Sequence, residues 1–367
     1  MLSRPRLALS LGAAVVVLLA GCTTAPSPNI EPSVVAAHPT VPLADLTIPA
    51  DPRLYVGPST AILPNAAISS PAQPPAQQLP ATVTSHDLSG DRPVTVDSTE
   101  RILAMDISGS IAATVFGLGF GDSVVGRDIS TTFPGATDLP VITSSAHSVN
   151  IESIIALRPT VLITDGSVGP IDVLLQLRDA GIAVVFVDTN PTIDGVGELA
   201  VQVAAALGAP NAGITLAADL TSAIDAKVAE IAAIVPPDAA PLRMLFLYLR
   251  GTSGIYYLFG EQSGADVLIR SLGGVDVAAE IGLEGMRPMT DEAMVAANPD
   301  LILVMTDGIA SVGGVDALLE SKPAIALTNA GQHKRFVDMA DGEVLAFGPR
   351  TADVLDALAR AIYAPGQ

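Results

Sequence analysis

GITLAADLTSAIDAKVAEIAAIV (residues 213–235) is the longest helical pattern in the chain. After Gly213 it meets no glycine or proline until Pro236. On either side of it, short apolar runs alternate with helical spacings. Upstream stand RILAMD (101–106), SVVGRD (123–128), PTVLITD (159–165) and IAVVFVD (182–188), with helical patterns at IDVLLQLRDAG (171–181) and VGELAVQVAAALG (196–208). Downstream the rhythm restarts with LRMLFLYLRG (242–251), EQSGADVLIRSLGG (261–274), PDLILVMTDG (299–308), RFVDMADGEVLAFGP (335–349) and TADVLDALARAIYA (351–364). Strands alternating with helices predict parallel sheets covered on both faces. The pattern therefore predicts an α/β protein of two doubly wound lobes, residues 81–212 and 236–367, joined by a single long helix at 213–235. ATVTSHDLSGDRPVTVDS (81–98) reads as a hairpin opening the first lobe, with its turn at Ser89–Arg92.

A short internal repeat supports the two lobes. Glu152-SIIALR-Pro159-TVLITDG matches Glu292-AMVAAN-Pro299-DLILVMTDG, and the Glu-to-Pro spacing is seven residues in both. Each copy reads as a helix led by a carboxylate, closed by a proline and followed by a buried strand.

The chain has 367 residues with 38 acidic and 18 basic ones, a net charge of −20. A surface that acidic repels phosphate backbones, which argues against nucleic-acid binding. Aromatic residues make up 4% and tryptophan is absent, so a sugar platform of stacked rings is excluded as well. At the N-terminus, Arg4 and Arg6 precede an apolar run, Leu7–Leu19, too short for a membrane span and flanked as a secretory signal is. It ends Leu19-Ala20-Gly21-Cys22, and Cys22 is the only cysteine. Residues 1–21 are thus expected to be a signal peptide of lipoprotein type, with the Cys22 thiol taking the lipid and no intrachain disulfide. Residues 22–80, which include PSPNIEPS and SSPAQPPAQQLP, are expected to form a Pro/Ala/Ser-rich tether, on which LYVGPSTAIL (54–63) could dock against the lobe.

In doubly wound sheets, ligands sit beyond the carboxyl ends of the strands. MLFLYLRG (244–251) ends there with Tyr248 and Arg250, on one strand face by period-two alternation. Among four histidines, His147 alone falls in a strand-to-helix loop facing the expected cleft. Each has a plain alternative: a strand-end tyrosine packs as an amphipathic core residue, a loop histidine is solvated, an arginine is a surface charge. Together they form a ferric-iron donor set, because tyrosinate is a hard anionic oxygen and imidazole a good nitrogen donor; both occur as haem ligands. A free phenol titrates near about 10, and a guanidinium beside it favours the anion. Met305, closing its strand, and Tyr256 are further candidates for the ligand's face. Met286 and Met289 are softer ones, and Arg127, Ser130, Thr131 and Thr132 are candidate contacts for carboxylates of the ligand. Elbow serines, phosphate loops, HExxH and paired redox cysteines are missing, so an enzyme is not expected.

The lipobox, LYVGPSTAIL, VVGRDISTTFP (124–134), AHSVNIESIIALRP (146–159) and the FLYLRG–GIYY strand-loop-strand (246–257) resemble actinobacterial haemin-binding lipoproteins. Those are substrate-binding components of haem ABC importers, and the resemblance runs from about residue 53 to the C-terminus. It implies the helix-backboned, class III binding-protein architecture with ferric haem as transported ligand. It further implies His147 and Tyr248 as axial ligands, with Arg250 beside the tyrosine. Ser144-Ser145-Ala146 departs from the more polar or glycine-containing stretch common before that histidine. Glu152 and Glu292 would dock one lobe each onto arginines of the permease. The expected protein is a lipid-anchored monomer on the outer face of the cytoplasmic membrane. A ferric siderophore or a corrinoid is the alternative cargo of the same fold.

Overall fold

Strands buried on both faces require uninterrupted apolar runs, and the runs of this chain fold accordingly. The computed structural model describes residues 41–144, 147–251, 255–288 and 290–367. Its strands are β1 (Ser59–Ala61), β2 (Ala81–Asp87), β3 (Gly90–Val96), β4 (Ile102–Met105), β5 (Val124–Arg127), β6 (Val161–Thr164) and β7 (Ala183–Phe186). They continue with β8 (Arg243–Arg250), β9 (Ile255–Phe259), β10 (Val275–Asp276), β11 (Met286–Pro288), β12 (Leu301–Met305) and β13 (Phe336–Met339).

The first sheet is parallel with order β5-β4-β6-β7, so the chain leaves β4 to one side and returns to the other. The second has the order β1-β13-β12-β8-β9-β11, with β10 also pairing β8. Its β1, β13, β12 and β8 run parallel, β9 folds back antiparallel to β8, and β11, antiparallel to β9, runs in the direction of β8 again. Alternate residues serve opposite faces. On β4, Ile102 and Ala104 pack with Ile111, Leu199 and Val203, whereas Leu103 and Met105 pack with Ile154, Leu174 and Leu177. On β8, Met244 and Phe246 join one core and Leu245, Leu247 and Leu249 the other. The fold is two doubly wound α/β lobes on one connecting helix.

That helix spans Pro210–Ile234. It starts three residues before the predicted position because proline is well suited to a helix's first turn. Ala212 and Leu216 pack on the first-lobe core, and Leu220, Ile224, Val228 and Ile231 on the second. Gly213 lets it approach its neighbour: a Cβ there would lie 2.5 Å from the Ala204 Cβ and 2.9 Å from the Ala200 carbonyl oxygen.

Two expectations change. The hairpin turn lies at Leu88–Ser89, because Gly90 (φ 115°) already begins β3. Within the expected tether, 54–63 docks on the second lobe as its sequence suggested, but residues outside that stretch, Leu43 and Gln77 among them, are held against the lobes as well. Leu43, Ala61 and Leu63 are buried in the second-lobe core, and β1 pairs with β13. Fully buried Arg335 clamps this segment, donating to Ser59 Oγ at 2.9 Å and to the Ala361 and Ile362 carbonyls at 2.9 and 2.7 Å. Burial lowers its pKa to about 10. Further on, Pro71 closes against Gly119, and Gln77 Nε2 donates to Thr99 Oγ1 (2.6 Å) and the Leu207 carbonyl (2.7 Å) of the first lobe. Prolines cut the entropy lost on ordering, so a Pro-rich stretch can be fixed by few apolar anchors. Residues 1–40, which hold the signal sequence and Cys22, lie outside the described residues.

Gly213→Ala separates packing from propensity. Helix propensity alone favours alanine by about 1 kcal/mol. The close approach instead predicts a loss of about 1–3 kcal/mol, read by urea unfolding. A more stable variant would refute the close packing.

Candidate functional site

β8 is buried from Met244 through Leu247, and its last three residues reach the carboxyl edge of the sheet. Tyr248 is half-buried, with its ring stacked on Phe259 at 5.9 Å between centroids. The Arg250 Nε–H donates to the Tyr248 hydroxyl oxygen, and the guanidinium carbon lies 5.3 Å from the ring centroid. That bond is the main cause holding Arg250 above the ordinary arginine pKa. Partial burial opposes it, and the charges of Asp341 and Asp307 reinforce it. The two residues predicted to act together do meet.

Met305 lies on the same face. Leu303 pairs with Phe246, so two residues further along both strands Met305 comes opposite Tyr248, and both pack on the same core. Tyr256 is corrected. It pairs with Leu249 and packs on the opposite core, where the Lys322 ammonium lies 3.9 Å from its ring centroid. Tyr257, paired with Tyr248, shares that tyrosine's face instead. Met286 is exposed on β11, and Met289 lies outside the described residues.

His147 belongs to the first lobe, in the loop between β5 and the Ile151–Leu157 helix. The loop is tied by backbone bonds from His147 N–H to the Ser144 carbonyl (3.0 Å), Ser144 N–H to the Ser148 carbonyl (2.9 Å) and Asn150 N–H to the Ile142 carbonyl (2.9 Å). His147 has φ 56°, in the left-handed region that costs a non-glycine residue about 1–2 kcal/mol. Its Nδ1 is buried and has no hydrogen-bond partner among the described residues. The other described histidines are engaged: His86 with Asp91 at 2.9 Å, His333 with the Asn329 carbonyl at 3.0 Å. A left-handed backbone together with an unpartnered buried nitrogen makes His147 a candidate functional position. Among the described residues, no hydrogen bond or ion pair joins His147 to Tyr248 or Arg250.

The lobes meet beside Arg250. Asp341 Oδ1 accepts the Asp307 N–H at 3.0 Å, and a Cβ on adjacent Gly342 would lie 2.6 Å from Thr132 Oγ1 and 2.7 Å from the Ser130 carbonyl oxygen. Arg350, over the Phe133 ring at 5.5 Å, donates to the Gly342 carbonyl at 3.1 Å. Of the residues proposed for ligand carboxylates, Thr131 is buried, and Arg127 Nη1 is taken by the Asp128 and Thr131 carbonyls. Sequence reasoning missed the carboxylates at the strand ends. Asp106 is wholly buried, and burial with Asp128 and Asp165 nearby raises its pKa to about 7. It accepts the Ser110 and Ile111 N–H groups at 3.0 and 2.9 Å and so starts the Ser110–Gly117 helix. The signal was present: β4, β5 and β6 are each followed directly by aspartate.

A second feature comes from the repeat. Asn150 and Thr290 cap the helices Ile151–Leu157 and Asp291–Ala297 by accepting Ser153 and Ala293 N–H. Both helices end on a left-handed residue, Arg158 (φ 47°) and Asn298 (φ 40°), before the proline. Glu152 and Glu292 are exposed at the same helical position, and neither forms an ion pair among the described residues.

The periplasmic binding protein family matches residues 107–341. The chain belongs to that family. Among curated proteins it is similar to the uncharacterized ABC transporter substrate-binding lipoprotein YvrC of Bacillus subtilis (strain 168), 28% identical over 68% of this chain and 76% of that one. Among solved structures it is similar to heme binding protein HmuT, at 36% identity and TM-score 0.80, over 86% of this chain and 99% of that one. HmuT has also been solved with alanine in place of a histidine, of a tyrosine, and of an arginine two positions after that tyrosine. The periplasmic heme-binding protein RhuT from Roseiflexus sp. RS-1 matches at 36% identity and TM-score 0.65, over 74% of this chain and all of that one (100%).

His147→Gly tests whether the histidine is architecture. Relief of the left-handed strain opposes the added chain entropy of glycine, each about 1 kcal/mol. The ligand-free variant is expected to unfold in urea within about 1 kcal/mol of the parent. A clearly larger loss would make the ring a packing element rather than a free donor.

Proposed function

We propose that this chain captures ferric haem outside the cytoplasmic membrane and delivers it to an ABC permease. The observation that carries the reading is the Arg250–Tyr248 bond on one face of β8, set against the unpartnered His147 nitrogen on the other lobe. Ferric iron takes an anionic oxygen donor and an imidazole on opposite faces of the porphyrin. Tyr248 is the oxygen donor in this reading, with the Arg250 Nε–H bonded to that oxygen, and His147 is the nitrogen donor. Met305 on the Tyr248 face supplies soft apolar contact. HmuT, varied at a histidine, a tyrosine and an arginine with the same Tyr-to-Arg spacing, supports these assignments. Siderophore or corrinoid cargo is not favoured, since the similar structures are haem-binding proteins. Glu152 and Glu292 are the docking carboxylates, one per lobe, for cationic residues of the permease.

In a haemin titration followed by the Soret band, Tyr248→Phe is expected to lose most binding, because it removes the only anionic donor. Arg250→Ala leaves the donor in place and loses about 10–100-fold, the range typical of a ligand's supporting partner. A Tyr248→Phe protein with parental Soret band and affinity would overturn the ligand assignment.

Lipid anchoring rests on Cys22, and the similarity to a lipoprotein supports it. Cys22→Ala is expected to move the protein from the membrane to the soluble fraction, folded and haem-competent. Unchanged membrane retention would remove lipid as the anchor.

A further inference from the structure

Beside Glu292 the second lobe carries a shallow groove of about 590 Å³, lined by Val295, Ala296, Pro323 and Leu327, with Asp291 and Glu292 on it as well. It runs between the Asp291–Ala297 and Pro323–Ala326 helices. Val295 is 46% exposed and Leu327 65%. A single exposed aliphatic residue is ordinary, but two lining one concavity beside unpaired carboxylates mark a contact surface. The nearby Lys322 does not neutralise those acids, since its ammonium is spent on the Tyr256 ring at 3.9 Å. Val295 stands three residues after Glu292 and so lies on the same helix face. Ile155, 50% exposed, stands three after Glu152 in the first lobe.

Charge selects the occupant. An anionic lipid surface is repelled by a chain of net charge −20. A second copy would bring the same two acids against themselves. What fits is a protein segment with a cation next to an aliphatic or aromatic side chain. We infer that the groove seats an apolar side chain of the permease next to the cation that meets Glu292. This rests on the docking reading above and adds a division of labour. The carboxylates steer the encounter, and the second lobe holds it through apolar burial in the groove, which sets k_off more than k_on.

The test is haem uptake by right-side-out membrane vesicles from cells that carry the transporter, with the full-length haem-loaded protein as donor at several salt concentrations. Val295→Ser with Leu327→Ser is expected to raise the half-saturating concentration about tenfold, equivalent to about 1.4 kcal/mol. Its Soret band and its salt dependence should match the parent's. Ala296→Trp, which fills the groove from an exposed position, should give the same loss by obstruction. Glu152→Gln with Glu292→Gln should also raise the half-saturating concentration, and flatten its salt dependence. If the glutamine pair is impaired while the serine pair and the tryptophan variant take up haem normally, the groove proposal falls and the docking reading stands. Normal uptake by all of them removes both.

Discussion

Only the last residues of β8 are free to touch a ligand, because both faces of the strand are occupied by core up to that point. Met244, Phe246 and their neighbours leave no exposed surface, and Leu249 is 1% exposed. Tyr248 and Arg250 share a side because alternation puts them there. Leu249 between them turns into the opposite core. The position of the strand therefore fixes both the Tyr248 hydroxyl and the cation that bonds it, without a flexible loop. Side chains carried on strands are held more tightly than those on loops. His147 is the exception. It sits on a loop, and its left-handed backbone, cross-tied by hydrogen bonds, replaces the rigidity that a strand would give.

The repeat shows how local chemistry can be copied between lobes whose sheets differ. The first sheet is wholly parallel, while the second contains one strand, β9, that runs against the others, and an extra edge strand from residues 59–61. Even so, the cap, the seven-residue helix, the left-handed stop and the proline recur, since each is a short-range rule. They deliver Glu152 and Glu292 to matching places ahead of β6 and β12. A carboxylate in the first turn also complements the helix dipole, so stability and the proposed docking role call for the same residue.

Periodicity made the parallel sheets and the long helix legible, because buried strands and helices differ in length and in where glycine and proline fall. Tyr248 and Arg250 were legible because position along a strand determines the side that a residue takes. Tyr256 was not: which of two adjacent tyrosines faces the ligand depends on hairpin register, and register is set by pairing across a loop. Docking of residues 54–63 was legible, but the order of the rest of 41–80 was not, because composition reports the average tendency of a stretch, whereas Leu43 and Gln77 act through single long-range contacts. The strand-end aspartates were visible as letters, but their meaning lies in burial, which no local pattern carries.

Three separate ties hold the lobes. The Pro210–Ile234 helix gives side chains to both cores without a break. The N-terminal segment pairs β1 with the second lobe and then bonds Gln77 to the first. At the junction, Gly342 admits the Ser130–Thr132 backbone, and Arg350 covers Phe133 while bonding the Gly342 carbonyl. A hinge needs a few residues that can absorb a large φ/ψ change. Here rotation would have to bend a continuous helix and open a buried arginine contact at the same time. A ligand held as proposed between His147 and Tyr248 would therefore gain little from lobe closure. The Arg250 bond to Tyr248 and the cross-tied loop of His147 are the contacts that would hold the two proposed donors in that frame.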